Sequence, residues 1–249
     1  MYSNLNQMQK TSASILFDNK AIVPKEFNKI AEKYDFATRM SQGYQDDLNR
    51  SGSLLTLKGD ETVIDLCCGT GKSTVSFLSR ITSGKVFCVD NSEGMLAVAQ
   101  DKFSKEIAAG KVEISLQDAM HLNFAPESVD AIFMAYGLRN MPDYDLCIEN
   151  LFRILKPGGQ LVIHDYSLAN SWYAKPLWFV LSYGFIVPFC TLISGSATIY
   201  TYLAKSVLNF LNPDQLKELL LSKGFTGISI VQHASWRRLF FHSFHAIKK

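Results

Sequence analysis

Residues 63–73 carry side chains whose types and spacing suit a nucleotide-like ligand. A short apolar run ends at Asp65, and Gly69 and Gly71 follow it closely. Glycine lacks a Cβ, so it can adopt positive φ angles and let a ligand approach the backbone. Ser73 is predicted to cap a helix that begins after the turn. The segment is therefore predicted to be a strand, a tight turn and a helix start beside a ligand.

A second acidic residue, Asp90, indicates the kind of ligand. It ends the apolar segment 85–90, about 20 residues beyond the turn, where an acidic side chain accepts hydrogen bonds from a ribose diol in dinucleotide-binding folds. The Asp-x-x-x-Gly-x-Gly pattern is similar to the first motif of class I S-adenosylmethionine (SAM) methyltransferases. SAM has a ribose diol and no phosphate, so we expect SAM as the cofactor.

The same turn has a competing interpretation as the phosphate-binding loop of an NTPase, because Gly71-Lys72-Ser73 looks like the end of that motif. The motif needs a glycine five positions before Gly71, and Leu66 stands there. A carboxylate at Asp65 would also repel phosphates. An NTPase stays a remote alternative, which ATP binding or dependence on a divalent metal would favour.

Composition limits the classes of function. A chain of 249 residues with 47% hydrophobic content is long enough for one α/β domain with insertions. The net charge of +2 comes without a Lys/Arg block, so no nucleic-acid partner is expected. Five scattered cysteines without a C-x-x-C pair predict reduced thiols and a cytoplasmic protein. Adjacent Cys67 and Cys68 are better explained by packing than by metal binding, and no metal site is predicted.

The elements that must position these residues alternate between strand and helix. This order predicts an α/β fold with a doubly wound, mostly parallel seven-stranded sheet of Rossmann type, whose ligands bind at the carboxyl ends of the strands. Predicted strands are 63–66, 85–90, 112–116, 129–136 and 160–166, with a final hairpin at 228–232 and 239–247, and predicted helices are 93–105, 143–155 and 213–223. Residues 156–159 are predicted to end the helix 143–155. Residues 1–57 are predicted to form an N-terminal helical cap and 58–249 the SAM-binding domain.

An apolar helical lid is predicted over residues 167–211. Residues 176–204 carry no charge, which is long enough for a membrane span, but Gly184, Pro188 and Gly195 are predicted to interrupt it. We therefore expect a lid or substrate wall that contacts a membrane peripherally, with a spanning helix as the remote alternative. Its aromatic side chains could form a packed core face, a slot for a prenyl tail, or a wall that attracts a carbocation. They are Trp172, Tyr173, Trp178, Phe179, Tyr183, Phe185 and Phe189.

Four further segments resemble those of one family, the ubiquinone/menaquinone C-methyltransferases. They are residues 153–167 (RILKPGGQLVIHDYS), 137–140 (GLRN), 27–35 (FNKIAEKYD) and 200–206 (YTYLAKS) followed by Gly224-Phe225. The Asp-Leu-Cys-Cys-Gly form of the first motif is most similar to the phylloquinone branch. The resemblance runs from residue 27 to residue 225 and makes the chain a divergent member.

The departures from the family pattern concern mostly the acceptor side. Lys72 stands where the family has an acidic residue, and Asp165 where it has a glutamate. Residues 36–39 (FATR) and 236–241 (WRRLFF) also differ from the family's segments. Methyl transfer is therefore better supported than the identity of the acceptor.

The resemblance implies a set of cofactor-binding residues. The methionine end of SAM is expected to contact Asp65, Gly69, Thr70 and Gly71. Asp90 is expected to bind the ribose hydroxyls and Asp118 and Ala119 the adenine. Met95 packs on the adenine or in the core, and Tyr34 closes over the cofactor or merely packs. Asn91 and Ala135 complete the predicted cofactor-binding set.

Methylation at carbon needs an acceptor carbon made electron-rich, as in a deprotonated hydroquinone. The protein must stabilise the phenolate and accept a proton. The predicted catalytic residues are Arg139 and Asn140 after the fourth strand and His164 and Asp165 at the end of the fifth. The acceptor is expected to be a hydrophobic small molecule, a prenyl-bearing quinol, and a homodimer is compatible with the sequence. The alternative is an alkene of a prenyl diphosphate methylated through a carbocation, with Arg237 and Arg238 facing the diphosphate.

Overall fold

The computed structural model describes Lys20, residues 23–29, Ala31 and residues 43–195, 197–233 and 235–249. Seven strands form one sheet in the order β3-β2-β1-β4-β5-β7-β6. The first five strands pair in parallel, and β7 runs antiparallel to both of its neighbours. The doubly wound α/β fold expected from the sequence is confirmed. The strands are β1 (Thr62–Leu66), β2 (Lys85–Asp90), β3 (Val112–Leu116), β4 (Val129–Ala135), β5 (Leu155–Tyr166), β6 (Phe225–Gln232) and β7 (Phe241–Lys248).

Helices cover both faces of the sheet, so the central strands are apolar on both sides. Along β4, Phe133 packs into one buried cluster and Ile132 into the other, because successive side chains of a strand point to opposite faces. The helices are α1 (Tyr44–Gly52), α2 (Lys72–Leu78), α3 (Glu93–Lys102), α4 (Ser104–Ala108), α5 (Tyr144–Ile154), α6 (Ala174–Leu181), α7 (Val187–Ser194), α8 (Ala197–Leu208) and α9 (Pro213–Ser222). Residues 23–29 are also helical. The division into a 1–57 cap and a 58–249 domain stays a prediction.

Three boundaries differ from the sequence-based expectation. The residue that precedes α2 is Gly71 at φ 77°, and Ser73 lies inside the helix instead of capping it. The helix predicted at 93–105 is divided in two at Phe103, whose ring packs where a Cβ on Gly71 would lie. The stop predicted at 156–159 belongs to β5, because a register shift between Val129 and Ala131 of the neighbouring strand accommodates these residues.

The lid is more continuous than its sequence suggests. A π-helical turn (Ser182–Ile186) joins α6 to α7, so Gly184 and Pro188 lie within one helical run, and only Gly195 at φ 76° ends it. A π-turn widens the helix and can accommodate the missing amide hydrogen of a proline. The predicted interruption is therefore wrong at Gly184 and Pro188. By length and composition Ala174–Leu192 could cross a membrane, and only 11% of it is buried.

Candidate cofactor and acceptor site

A cavity of about 190 Å³ opens at the carboxyl ends of β1, β2 and β4. This is the place where a doubly wound sheet binds its ligands. The cavity brings together most of the predicted site residues, namely Gly69, Thr70, Asp90, Asn91, Met95, Asp118, Ala119, Ala135, Arg139 and Asn140. The residues that line it do not include Asp65, Gly71, His164 or Asp165, and Tyr34 lies outside the described residues.

The turn after β1 presents backbone to the cavity. Gly69 has φ 55°, and a Cβ built on it would meet no atom within 4 Å. Its amide donates to Asp90 Oδ2 at 2.8 Å. Two non-glycine residues, Cys67 and Tyr136, also have positive φ angles of 57°. Such backbone is strained for residues with a side chain and is concentrated at functional sites.

Asp90 is held as a fixed acceptor at the end of β2. Besides Gly69, the amide of Ser92 donates to its Oδ1 at 2.9 Å. Burial raises the pKa of Asp90 to about 6, although the backbone hydrogen bonds act in the opposite direction. The carboxylate is therefore mostly ionised at neutral pH and able to accept from a hydroxyl pair in the cavity.

Asp65 is completely buried and organises the turn from beneath. Its Oδ2 accepts from Ser73 Oγ at 2.7 Å and from Thr74 Oγ1 at 2.5 Å. Burial raises the pKa of Asp65 to about 7 against these hydrogen bonds. Its Oδ1 has no hydrogen-bond partner among the described residues. An unsatisfied buried oxygen beneath a glycine turn fits a ligand that brings a cationic group.

The far end of the cavity suits a planar base. Met95 is a buried residue of α3, and the side chain of Asp118 is 43% exposed. Asp118 Oδ1 accepts from the Met120 amide at 3.0 Å, and its Oδ2 lies 3.7 Å from His121 Nδ1. A polar group for an exocyclic amine beside an apolar surface for a ring fits the adenine of SAM.

The predicted catalytic arginine is already paired. Arg139 Nη1 donates to Asp165 Oδ1 at 2.7 Å and to the Tyr136 carbonyl at 2.7 Å. Its backbone amide donates to Asp165 Oδ2 at 3.1 Å. Burial lowers the pKa of Arg139, but the charge and hydrogen bond of Asp165 outweigh it and raise the pKa above its ordinary value. Arg139 touches the cavity as half of a neutral pair with Asp165, and its catalytic role stays a prediction.

The other predicted catalytic residues have equally specific neighbours. Asn140 Oδ1 accepts from Tyr202 Oη at 3.1 Å, which ties α8 of the lid to the site. His164 is completely buried and meets the cavity only through Tyr136, whose Oη lies 2.9 Å from its Nε2. Arg237 pairs with Asp47 in the interior and Arg238 is exposed. Neither arginine lines the cavity, so the expected diphosphate contact is absent.

Sequence reasoning missed several residues of this site. Lys20 Nζ donates to the carbonyls of Arg139 and Met141 at 2.8 and 3.1 Å and to Tyr144 Oη at 2.8 Å. Burial, followed by the charge of Arg139, lowers the pKa of Lys20 to about 8. Lys20 lies more than a hundred positions from these partners, so no local pattern could reveal it. Tyr136 was not missed in this way, because it ends the predicted strand 129–136, at the edge of the sheet where ligands are expected to bind.

The aromatic side chains predicted to form a prenyl slot do not line the cavity. Trp178 is buried and donates from Nε1 to the Ala204 carbonyl at 3.1 Å. Trp172, Phe179, Phe185 and Phe189 are all more than half exposed. The lid therefore turns most of its apolar surface outward.

Comparison with known proteins agrees with this geometry. A family model described as the ubiE/COQ5 methyltransferase family matches residues 15–245. A demethylmenaquinone methyltransferase of Lactococcus lactis is 35% identical over 220 residues, covering 86% of this chain and 86% of the relative. Another from Lactobacillus johnsonii is 31% identical over 222 residues, covering 82% of this chain and 90% of the relative.

Solved structures show the same fold. A possible histamine N-methyltransferase of Thermotoga maritima superposes with a TM-score of 0.63 at 16% identity, covering 90% of this chain and 98% of its own. A phosphoethanolamine N-methyltransferase of Haemonchus contortus in complex with SAM gives 0.60 at 19% identity, covering 82% and 52%. These matches give the NTPase and terpenoid alternatives no support. The lysine of the phosphate-loop interpretation, Lys72, places its Nζ over the ring of Tyr44, 5.6 Å from the ring centroid.

Proposed function

This chain belongs to the ubiE/COQ5 methyltransferase family and uses SAM, and from that premise we propose that it methylates a ring carbon of a hydrophobic, prenyl-bearing quinol. The observation that carries the proposal is that one cavity has two chemically different ends. Polar acceptors line it at the ends of β1 and β2, and aromatic side chains line it at the end of β4. Relatives named demethylmenaquinone methyltransferase act on a substrate of this class.

The cofactor end would hold SAM through residues already described. Asp90 would accept from the ribose hydroxyls, Asp118 and Ala119 would meet the adenine, and Gly69 would allow the close approach of the methionine part. Asp65 Oδ1 would accept a hydrogen bond from the ammonium group of the methionine part. Bound SAM supplies an electrophilic methyl group on a sulfonium.

The acceptor end fits a planar ring. Tyr44 and Tyr136 stack with centroids 5.1 Å apart and planes 18° apart, and both line the cavity. Arg139 is neutralised by Asp165, and the Lys20 ammonium is held by three neutral oxygen atoms, those of two carbonyls and of Tyr144 Oη. The aromatic wall favours an apolar ring in the acceptor.

An assay of reduced and oxidised quinones tests this proposal. Purified protein is incubated with SAM and a demethylated naphthoquinone carrying a short prenyl tail, either reduced to the quinol or left oxidised. We expect a ring-methylated product from the quinol alone, located by tandem mass spectrometry, because only the quinol has a hydroxyl that makes the ring carbon electron-rich. Methylation at oxygen, or equal turnover of the oxidised form, would contradict it.

We also propose that the lid contacts a lipid bilayer peripherally. The outward surface of α6 and α7, here called the lid face, includes Trp172, Leu177, Val180, Phe185, Phe189 and Leu192, with Trp172 86% and Leu192 85% exposed. Apolar patches of this kind mark interaction sites, and Trp and Tyr favour the membrane interface. A bilayer would also be the reservoir of a prenyl-bearing acceptor.

Liposome flotation tests the lid face. Phe185→Asp combined with Leu192→Asp should abolish co-flotation with phospholipid vesicles, because charges would enter the acyl region. The matched control is Val75→Asp, which alters an exposed apolar residue of α2 instead of the lid. Unchanged flotation of the double variant would reject lipid contact, and a change from dimer to monomer on gel filtration would assign the face to a second copy.

A further inference from the structure

We propose that Tyr136 and His164 form a two-residue proton relay in which Tyr136 is the catalytic proton acceptor, and that Ser243, His233 and Asp47 hold His164 in place from behind. The proposal rests on the proposed function for the identity of the acceptor. It assigns the proton chemistry to groups other than Arg139, whose charge is already paired.

Tyr136 is held in one orientation at the boundary between the cavity and the interior. Tyr44 stacks on its ring, and the His164 ring meets it edge-on with centroids 4.8 Å apart. Tyr166 and Phe241 lie within 5.5 and 6.5 Å of it. Tyr136 lines the cavity, and its hydroxyl lies 2.9 Å from His164 Nε2. Tyr136 therefore connects the acceptor site to a group that solvent does not reach.

The hydrogen bonds behind His164 allow only one assignment of protons. Ser51 Oγ donates its single hydrogen to the Asp47 carbonyl at 2.7 Å. The contact of 2.7 Å between Ser51 Oγ and Ser243 Oγ must then use the hydrogen of Ser243. Ser243 Oγ can only accept from its two remaining partners, His164 Nδ1 at 3.1 Å and His233 Nε2 at 3.0 Å.

This assignment determines the state of both imidazoles. A neutral His164 carries its hydrogen on Nδ1, so its Nε2 lone pair accepts the hydroxyl hydrogen of Tyr136. His233 donates from Nε2 and also faces Asp47 Oδ1 from Nδ1 at 2.8 Å, so both of its nitrogens carry hydrogen and it is a cation paired with Asp47. Burial, then the charges of His233 and Arg237, hold the pKa of His164 well below its ordinary value, which keeps it neutral and ready to accept.

The proton step follows from charge balance. Carbon methylation joins the methyl group to the acceptor carbon, breaks the methyl–sulfur bond and leaves its electron pair on sulfur. The positive charge moves to the acceptor, whose ring hydroxyl becomes strongly acidic, so even a weakly basic imidazole can receive its proton. That proton passes to Tyr136 Oη while the Tyr136 hydrogen passes to His164 Nε2. The resulting ketone tautomerises to the methylated phenol without a net change in protons. After the product leaves, His164 Nε2 returns its proton to Tyr136 Oη, whose other hydrogen passes to solvent in the cavity.

Kinetics of paired variants test the relay. Tyr136→Phe and His164→Gln each remove one member, and each should lower kcat by roughly 10²–10⁴-fold, the usual contribution of a positioned proton acceptor. SAM affinity and the KM for the quinol should stay nearly unchanged. The double variant should be no slower than either single variant, because residues that act as one unit are not additive. The control is His245→Gln, a half-buried imidazole bonded to Gln160 on the same sheet, with a wild-type kcat expected.

Two kinetic outcomes would overturn the relay. The first is a wild-type kcat in Tyr136→Phe, and the second is a double variant whose loss is the product of the two single losses. Thermal melts of all variants show which remain folded. If His164→Gln unfolds, His164→Asn takes its place in the same comparison.

NMR tests the relay without turnover. Imidazole ¹⁵N spectra of the histidine-labelled protein should show His164 protonated on Nδ1 alone and His233 on both nitrogens. A His164 proton on Nε2 would overturn the assignment. A protein that methylates no quinol yet gives the expected spectra would refute the proposed function and support the proton arrangement.

Discussion

The two ends of the cavity are built in opposite ways. At the cofactor end, polar groups are joined by contacts between residues close in sequence, such as Ser73 to Asp65 and Gly69 to Asp90. At the acceptor end the contacts join distant segments, such as Asn140 to Tyr202 and Lys20 to Arg139. The cofactor end is thus mostly a local structure of one strand-turn-helix unit and the next strand, to which Asn28 adds long-range contacts with Ser92 and Gly94, while the acceptor end needs the whole fold.

The two ends also differ in how their charges are used. Asp65 keeps one buried oxygen without a partner among the described residues, and Asp90 binds only backbone amides. Arg139 and Asp165 instead neutralise each other. A site with uncompensated carboxylates suits a polar, cationic cofactor, and one with compensated charges suits an apolar acceptor.

The largest expected effect comes from breaking the buried ion pair between Arg139 and Asp165. Arg139→Ala should lower the free energy of unfolding by about 3–5 kcal/mol, because Asp165 would be left buried and unpaired. Urea denaturation measures it. Combining Arg139→Met with Asp165→Leu should recover much of the loss, since it removes both charges.

The matched control for this pair lies at the surface. Lys156→Ala breaks the more exposed contact of 2.7 Å with Asp130 and should cost at most about 1 kcal/mol. Equal losses in Arg139→Ala and Lys156→Ala would show that the acceptor end does not depend on its buried pair.

The next effect separates cofactor binding from stability. Asp90→Ala should weaken SAM binding by roughly 1.5–3 kcal/mol, the range for hydrogen bonds to a charged group. Calorimetry measures it, with Asp118→Ala as a half-exposed comparison that should lose less. An Asp90→Ala protein that binds SAM as tightly as the wild type would remove Asp90 from the site.

A pH titration sharpens the same comparison. The pKa of Asp90 is raised to about 6, so acidification through pH 6 protonates the carboxylate and should weaken SAM binding. Asp90→Asn should show weak binding with less change across this window. A wild-type affinity for SAM that stays constant on both sides of this pKa would contradict the role of the Asp90 carboxylate in binding SAM.

The last comparison concerns how Asp65 makes stability depend on pH. Its pKa in the folded protein is about 7, above its ordinary value of 3.8, so the folded state retains a proton that the unfolded state has lost. The free energy of unfolding should therefore fall as pH rises through this interval. Asp65→Asn should be more stable than the wild type at alkaline pH and show a flatter profile in urea titrations. A wild type whose free energy of unfolding rises with pH across the interval, with Asp65→Asn unchanged, would contradict the predicted direction of this pH dependence.

Much of the cofactor end could be predicted from the sequence. Asp90 and Gly69 were predicted because β1 and β2 are short apolar segments, and parallel strands bring their carboxyl ends together. Ser73 was misassigned as a cap because both a cap and a hydroxyl donor to Asp65 fit the same position after a turn. Pro188 was misassigned as an interruption because a π-turn has no simple sequence signature.

The sequence by itself determined the fold and the cofactor turn, since strand order, glycine placement and strand-end acids depend on local periodicity and short separations. Only the tertiary structure decided that Arg139 is neutralised, that Lys20 supports the β4 end and that the lid turns its aromatic side chains outward. It also placed Ser243 between His164 and His233, which assigns their protons. Pairing, burial and proton position depend on which distant side chains meet in a low-dielectric interior, and folding alone brings those side chains together.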